Sequence, residues 1–132
     1  MIEDSKAKQK VCIIDACHSG GMLAMKGINE RMPTTAQIYY ENLGDKTGGT
    51  AIITSSKVEE SSIEGKEFRQ GVFSYYWIEA LKGMADSHSN KIVTISEAFN
   101  YVQKNVSNYT RNYQTPQLDG KFDALLPLAA IR

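Results

Sequence analysis

The sequence predicts an α/β fold, in which strands form a sheet and helices pack against it. Two short apolar runs, residues 11–14 and 50–54, have the length and residue types of buried strands. Two longer segments further along the chain repeat their apolar residues at the spacing of a helix. In a chain of 132 residues, this order indicates one domain or a large part of one.

The first predicted strand, residues 11–14, reads Val-Cys-Ile-Ile. A continuous apolar run is typical of a parallel strand that is covered on both faces. It is followed at once by the polar and glycine-rich residues 15–21, DACHSGG. The second predicted strand is residues 50–54, and the weak periodicity between the two strands predicts a long connection.

Two helices and a final strand are predicted after the second strand. The first helix begins near Gly71 and ends near Gly83. Its apolar residues at helical spacing are Phe73, Trp77, Ala80, Leu81 and Met84.

The second helix begins at residues 94–97, Thr-Ile-Ser-Glu, which match a capping box. Its apolar stripe is Ile95, Ala98, Phe99, Val102 and Val106. Pro116 keeps the preceding residues extended, and residues 124–128 read as a last strand near an edge.

The composition excludes several classes of function. Fifteen Lys and Arg balance fifteen Asp and Glu, so no net field attracts nucleic acid or an anionic membrane. No apolar run approaches the roughly 20 residues needed to cross a bilayer, and the first ten residues lack the apolar core of a signal peptide. We expect a soluble, cytoplasmic protein without a nucleic-acid or membrane partner.

The segment that follows the first strand combines residues typical of a reactive thiol. Side chains two apart on an extended segment share a face, so Asp15 and Cys17 are expected about 6 to 7 Å apart. The glycines after Cys17 place the thiol at the carboxyl end of a strand, where open α/β sheets bind ligands. A carboxylate alone would hinder ionisation of the thiol, so Asp15 is expected to meet a cationic substrate group.

Packing is the alternative role for a cysteine, since this residue is often buried. We assign packing to Cys12, which lies inside the first apolar run. For Cys17, residue types alone leave packing and catalysis both open. No Cys or His pair has zinc spacing, and two cysteines five apart do not indicate a disulfide framework.

Residues 11–21, VCIIDACHSGG, resemble the nucleophile motif of the caspase and metacaspase superfamily of cysteine peptidases, in its metacaspase form. The resemblance continues in the family's order through residues 49–56, 71–83, 94–106 and 114–118. It implies a partial caspase-like α/β fold, with a mainly parallel sheet flanked by helices and the first strands missing. Residues 1–132 would then be the carboxy-terminal portion of a single peptidase domain.

The resemblance also implies roles for individual residues. Cys17 is cast as the nucleophile, and its backbone amide as one donor of the oxyanion hole. Asp15 is cast as the acid of the pocket that binds the substrate side chain before the cut, which favours Arg or Lys. Ser55 and Ser56 are placed beside the substrate groove, although a serine after a strand is also an ordinary cap. The substrate is a peptide or protein.

The family's catalytic histidine lies upstream of the cysteine, by about 50 residues in caspase signatures. No histidine precedes Cys17, so we expect this chain alone to be inactive until the missing amino-terminal part of the domain joins it. Residues 22–27 also lack the acidic residue through which many metacaspases bind calcium, and no metal or other cofactor is expected.

Three alternatives remain open at this stage. His88 could pair with Cys17 in the order used by papain-like enzymes, although its polar neighbours are typical of a solvated loop. The chain could also be a non-catalytic caspase-like module used for assembly or regulation. An open edge on a truncated sheet could pair copies of the chain into a homo-oligomer.

Overall fold

The computed structural model describes residues 6–15, 49–56 and 71–132 of the chain. The elements in these residues are β1 (Lys10–Ile14), β2 (Thr50–Thr54), α1 (Val72–Glu79), β3 (Ile92–Thr94), α2 (Ile95–Tyr109), β4 (Gln117–Lys121) and β5 (Pro127–Ala130). A π-helical segment, Ala80–Met84, continues α1. The predicted α/β class is confirmed.

Strands β1, β2 and β4 form a three-stranded sheet with β2 in the middle. β1 pairs with β2 in parallel, with Ile14 opposite Thr54, so both strands end at the same edge of the sheet. β4 pairs with β2 in the antiparallel direction, and its first residue, Gln117, lies opposite Thr54. β3 and β5 form a separate antiparallel pair.

The balance of strand directions differs from the expected mainly parallel sheet. Among the described strands, β1 and β2 form a parallel pair, while the β2–β4 and β3–β5 pairs are antiparallel. The reason is the route of the chain after α2. That helix ends near the carboxyl end of β2, so β4 enters the sheet there and can only run back along its neighbour.

The last strand was predicted at residues 124–128, and this position is wrong. Asp123 caps a turn at this point, with its Oδ1 accepting the Leu125 N–H at 2.9 Å, and β5 begins at Pro127. The sequence analysis also missed β4, which contains Gly120 at φ +105. A Cβ there would lie 2.1 Å from the Thr50 carbonyl oxygen, so only glycine allows the two backbones to approach.

Both helices bury the apolar faces that their spacing predicted. The fully buried residues of α2 include Ile95, Ala98, Val102 and Val106, and Phe99 packs partly buried beside them. In α1 and its extension, Phe73, Trp77 and Ala80 are buried in the same core. Met84 is 63% exposed, contrary to the prediction, because Gly83 at φ +118 turns the chain away before it.

The first strand is less covered than its apolar run predicted. Ile13 is 44% exposed, while Val11, Cys12 and Ile14 are partly buried. Among the described strands, β1 pairs only with β2 and lies at the end of the strand order.

The predicted capping box of α2 is confirmed. The Thr94 hydroxyl accepts the Glu97 N–H at 3.3 Å, and Oε2 of Glu97 accepts the Thr94 N–H at 3.0 Å. Oε1 of Glu97 also accepts hydrogen bonds from Ser87 Oγ at 2.9 Å and His88 Nδ1 at 2.6 Å. These contacts, led by the Thr94 N–H, lower the pKa of Glu97 to about 2. The carboxylate is therefore an ionised anchor for the start of α2.

Replacing Glu97 with glutamine is expected to lower the free energy of unfolding by about 1 kcal/mol at neutral pH, the usual magnitude of a lost helix cap. A carboxylate whose pKa is lowered by folding stabilises the protein above its unfolded pKa near 4.5, and this stabilisation is lost as the pH falls toward 2. Urea unfolding of both forms at pH 7 and near pH 2 measures the difference.

Glu79→Gln is the matched control, because Glu79 forms only a partly exposed pair with Lys82 at 3.1 Å within one helical turn. Such a pair contributes roughly 0.3 kcal/mol, so the control should change little. Equal stability of Glu97→Gln and the wild type at pH 7 would contradict the role assigned to this carboxylate, as would a difference that persists near pH 2.

Candidate functional site

Three of the four residues that the sequence analysis assigned to the site are described, and they lie at one edge of the sheet. Asp15 directly follows β1, and Ser55 and Ser56 directly follow β2. The Ser55 N–H donates to the Ile14 carbonyl oxygen at 3.0 Å, which joins the ends of the two strands. The parallel register therefore brings Asp15 and the two serines to the same edge of the sheet.

Cys17 and His18 lie outside the described residues.

Asp15 is exposed to solvent, and its carboxylate is held by α1. Oδ2 of Asp15 accepts a hydrogen bond from Ser74 Oγ, in the first turn of that helix. A Cβ added at Gly71, the N-cap of α1, would lie 3.5 Å from the same oxygen, so the carboxylate contacts the start of the helix. The start of α1 therefore lies at the edge that carries Asp15.

Ser55 is deeply buried at 2% exposure, whereas Ser56 is half-buried. The Ser55 carbonyl oxygen accepts a hydrogen bond at 2.8 Å from Nε2 of Gln114, a side chain with no exposed surface. The Gln114 N–H in turn donates to Thr110 Oγ1 at 3.1 Å, just after α2 ends. The segment that follows α2 therefore fixes the end of β2 from inside the protein.

Sequence reasoning missed Ser74 and Gln114. Each is 59 positions away from the residue it contacts. Both lie in segments that resemble the family, but the resemblance assigned neither of them a role. The available signal for Gln114 was weak: a polar residue just before Thr-Pro at the predicted end of a helix. For Ser74, the helical spacing of α1 shows only that it does not belong to the apolar stripe.

The two helices run in opposite directions relative to this edge. α1 begins beside Asp15, and the chain leaves α2 at Thr110, close to Gln114 and Ser55. With 15 residues, α2 is about 22 Å long, so its first turn lies at the far end of the domain. The capping residue Glu97 is in that turn.

His88 is at this far end, because its Nδ1 contacts Oε1 of Glu97 at 2.6 Å. The length of α2 separates His88 from Asp15 and from the sheet edge that carries it. The alternative pairing of His88 with Cys17 falls on a residue outside the described part of the chain.

The thiol of Cys12 differs from a reactive one. It lies partly buried within β1, opposite Ile52, and burial raises its pKa. A raised pKa disfavours the thiolate, which is the nucleophilic form. The packing role that the sequence assigned to Cys12 agrees with this environment.

Two further properties concern the described part of the chain. None of its helices is both long enough and apolar enough to span a bilayer. In the same residues, no three side chains of His, Cys, Asp or Glu gather where they could bind one metal ion.

Residues 3–125 match the family model of the caspase domain, Peptidase C14. Comparison with curated proteins and with solved structures found no match. The family match includes β1, β2, α1, α2 and β4, together with the edge that carries Asp15, Ser55 and Ser56. Because it spans nearly the whole length of 132 residues, this chain belongs to the caspase domain family of peptidases.

Proposed function

We propose that the chain is the nucleophile-bearing part of a cysteine endopeptidase of metacaspase type, which cleaves after Arg or Lys. Membership of the caspase domain family supports the peptidase class. The observation that carries the proposal is the meeting of Asp15, Ser55 and Ser56 at the carboxyl edge of β1 and β2. Cys17 follows Asp15 by two residues in the sequence, so the proposed nucleophile would act at this edge.

In the proposed reaction, the sulfur of Cys17 attacks the carbonyl carbon of the peptide bond. A histidine base takes the thiol proton and passes it to the departing amine, which leaves an acyl group on the sulfur. Water then hydrolyses this thioester and frees the cysteine. The backbone N–H of Cys17 would donate to the carbonyl oxygen when negative charge develops on it.

The substrate residue before the cut would place its cation on Asp15. The carboxylate is exposed and accessible, and pairing with a guanidinium would give two charge-assisted hydrogen bonds. Of the two serines, half-buried Ser56 is better placed to contact a peptide directly. Deeply buried Ser55 would act through the backbone, by holding the end of β2 in position.

We further propose that the base lies in an amino-terminal part of the same domain, outside these 132 residues. The chain has two histidines, and neither fits the role. His88 is held by Glu97 at the far end of α2. His18 is adjacent to Cys17, and neighbouring side chains of an extended segment point to opposite faces. Since the chemistry needs a free thiol, a reducing compartment such as the cytoplasm suits it.

The test compares two proteins on fluorogenic peptides that end in Arg: the 132-residue chain, and the same chain extended upstream in its natural reading frame. We expect no measurable turnover by the first, because its thiol lacks a base, and turnover by the second. The extension should contain a histidine followed by glycine, and replacing that histidine with alanine should abolish activity.

Turnover by the 132-residue chain alone would contradict the proposed location of the base. Absence of turnover in the extended protein, with no upstream histidine to supply the base, would contradict the endopeptidase assignment and favour a non-catalytic role in assembly. Circular dichroism of both proteins serves as the control for folding.

A further inference from the structure

Ser74 makes a contact that peptide hydrolysis does not by itself require. Its Oγ donates a hydrogen bond to Oδ2 of Asp15, which lies 59 positions earlier in the chain. Ser74 is the third residue of α1, which begins at Val72. The contact therefore joins the first turn of a helix to the carboxylate that is proposed to bind the substrate cation.

The carboxylate of Asp15 also lies beside the start of α1. The N-cap of this helix is Gly71, which has no side chain that could accept a backbone N–H, and the first turn of α1 contains no acidic residue. Oδ2 of Asp15 lies 3.5 Å from the position of a Cβ at Gly71. A negative charge at this position is favoured by the positive end of the helix dipole.

These contacts restrict the orientation of Asp15. An exposed side chain at the end of a strand would otherwise exchange between several rotamers. The Ser74 hydroxyl and the backbone at Gly71 favour one of them. A carboxylate has about four lone-pair positions, so one hydroxyl donor leaves Oδ1 and part of Oδ2 available to a ligand.

Orientation matters more for arginine than for lysine. A planar guanidinium forms two parallel hydrogen bonds only when the carboxylate lies in its plane. An ammonium is a compact charge with rotatable donors, and it can follow a carboxylate through several orientations. Fixing the carboxylate therefore favours arginine selectively.

We propose that Ser74 is a positioning residue, which holds the Asp15 carboxylate for recognition of arginine over lysine before the scissile bond. The inference rests on the proposed function, because it assumes that Asp15 binds the substrate cation. It adds a residue on α1 to a site otherwise formed by the ends of β1 and β2.

The experiment measures alkylation of Cys17 in the 132-residue chain, which needs the thiol and the binding groups but no turnover. Three peptidyl chloromethyl ketones, identical except for a final Arg, Lys or Leu, are compared by mass spectrometry. In each case the thiol loses its proton to the buffer, and the resulting thiolate displaces chloride to form a carbon–sulfur bond. Cys12 is an internal reference thiol, since burial raises its pKa.

We expect the wild type to react fastest with the Arg reagent. Ser74→Ala should slow the Arg reaction by about fivefold to tenfold, the equivalent of one hydrogen bond. It should slow the Lys reaction by about twofold at most, because an ammonium depends less on orientation, and leave the Leu reaction unchanged. Ser74→Thr, which retains the hydroxyl, should restore the wild-type preference.

Ser96→Ala is the matched control. Ser96 also lies in the first turn of a helix, and its Oγ donates to the Ala124 carbonyl oxygen at 2.8 Å. This variant loses a comparable hydrogen bond in the first turn of α2, away from Asp15. We therefore expect its melting temperature to fall as in Ser74→Ala. Its preference for Arg over Lys should stay unchanged.

Asp15→Ala distinguishes the proposed role of Asp15 in binding the cation from the proposed role of Ser74 in positioning Asp15. If it removes the Arg preference while Ser74→Ala leaves the ratio of Arg to Lys rates unchanged, the inference about Ser74 is wrong and the proposed role of Asp15 stands. If Asp15→Ala leaves the Arg preference intact, cation binding by Asp15 is wrong, and the inference is wrong with it. Equal slowing of all three reagents in Ser74→Ala would also overturn the inference.

Discussion

Replacing Cys17 with alanine is expected to abolish peptide hydrolysis by the proposed enzyme, which would contain this chain and an upstream histidine base. The loss should be at least about 10⁴-fold in kcat, as for removal of other nucleophiles that form covalent intermediates. The melting temperature should remain close to that of the wild type. Burst kinetics, which report the acyl group on the sulfur, should disappear together with steady-state turnover.

Cys12→Ala provides the matched control for this experiment. Cys12 is five positions from Cys17, but it packs partly buried within β1 beside Ile52. Its loss should lower stability modestly and leave kcat almost unchanged. Cleavage that survives Cys17→Ala, or that is lost in Cys12→Ala without unfolding, would show that the nucleophile has been misidentified.

The second large effect is expected for Asp15, through the preference for basic substrates. Asp15→Asn removes the negative charge but keeps an oxygen that can accept the Ser74 hydroxyl. We expect kcat/KM for a substrate with Arg before the cut to fall by about 10- to 100-fold, the usual cost of losing a hydrogen bond between charged groups. Cleavage after Leu should change little.

The competing explanation is that Asp15 serves only to hold the start of α1. In that case Asp15→Asn, which keeps the contact with Ser74, would behave like the wild type toward every substrate. Asp15→Ala would then lower stability and slow cleavage after Arg and Leu in parallel. Steady-state kinetics on both substrates, with melting temperatures for both variants, distinguish the two roles.

Much of the fold was predictable because local residue patterns agree with the tertiary structure. The bounds of β2 match the apolar run Thr50–Thr54, and the capping box begins α2 at Thr94, as predicted. What could not be predicted depends on contacts between distant segments. β4 contains Asp119 and Gly120, residue types that disfavour strands, and its pairing with β2 becomes evident only when the end of α2 is placed.

In the candidate site, too, some contacts were predictable from the sequence and others were not. The proximity of Asp15 and Ser55 follows from two adjacent parallel strands that end in register, which the sequence already suggested. The contacts of Ser74 and Gln114 depend on where each helix meets the sheet, and no periodicity determines that position. The position of His88 likewise depends on the direction of α2, which places it away from Asp15.

Because α1 and α2 run in opposite directions, their first turns lie at opposite ends of this domain. Changes at the two ends should therefore affect the free energy of unfolding independently. In the part of the chain that the structure describes, the Glu97 anchor and Asp15 share no hydrogen-bond partner, and they are separated by about the length of a 15-residue helix, roughly 22 Å. Perturbations at such a distance usually add in free energy. A substitution that loosens the Glu97 end, such as Glu97→Gln, would therefore lower global stability without altering the substrate preference proposed for the Asp15 end, so the two properties can change independently of each other.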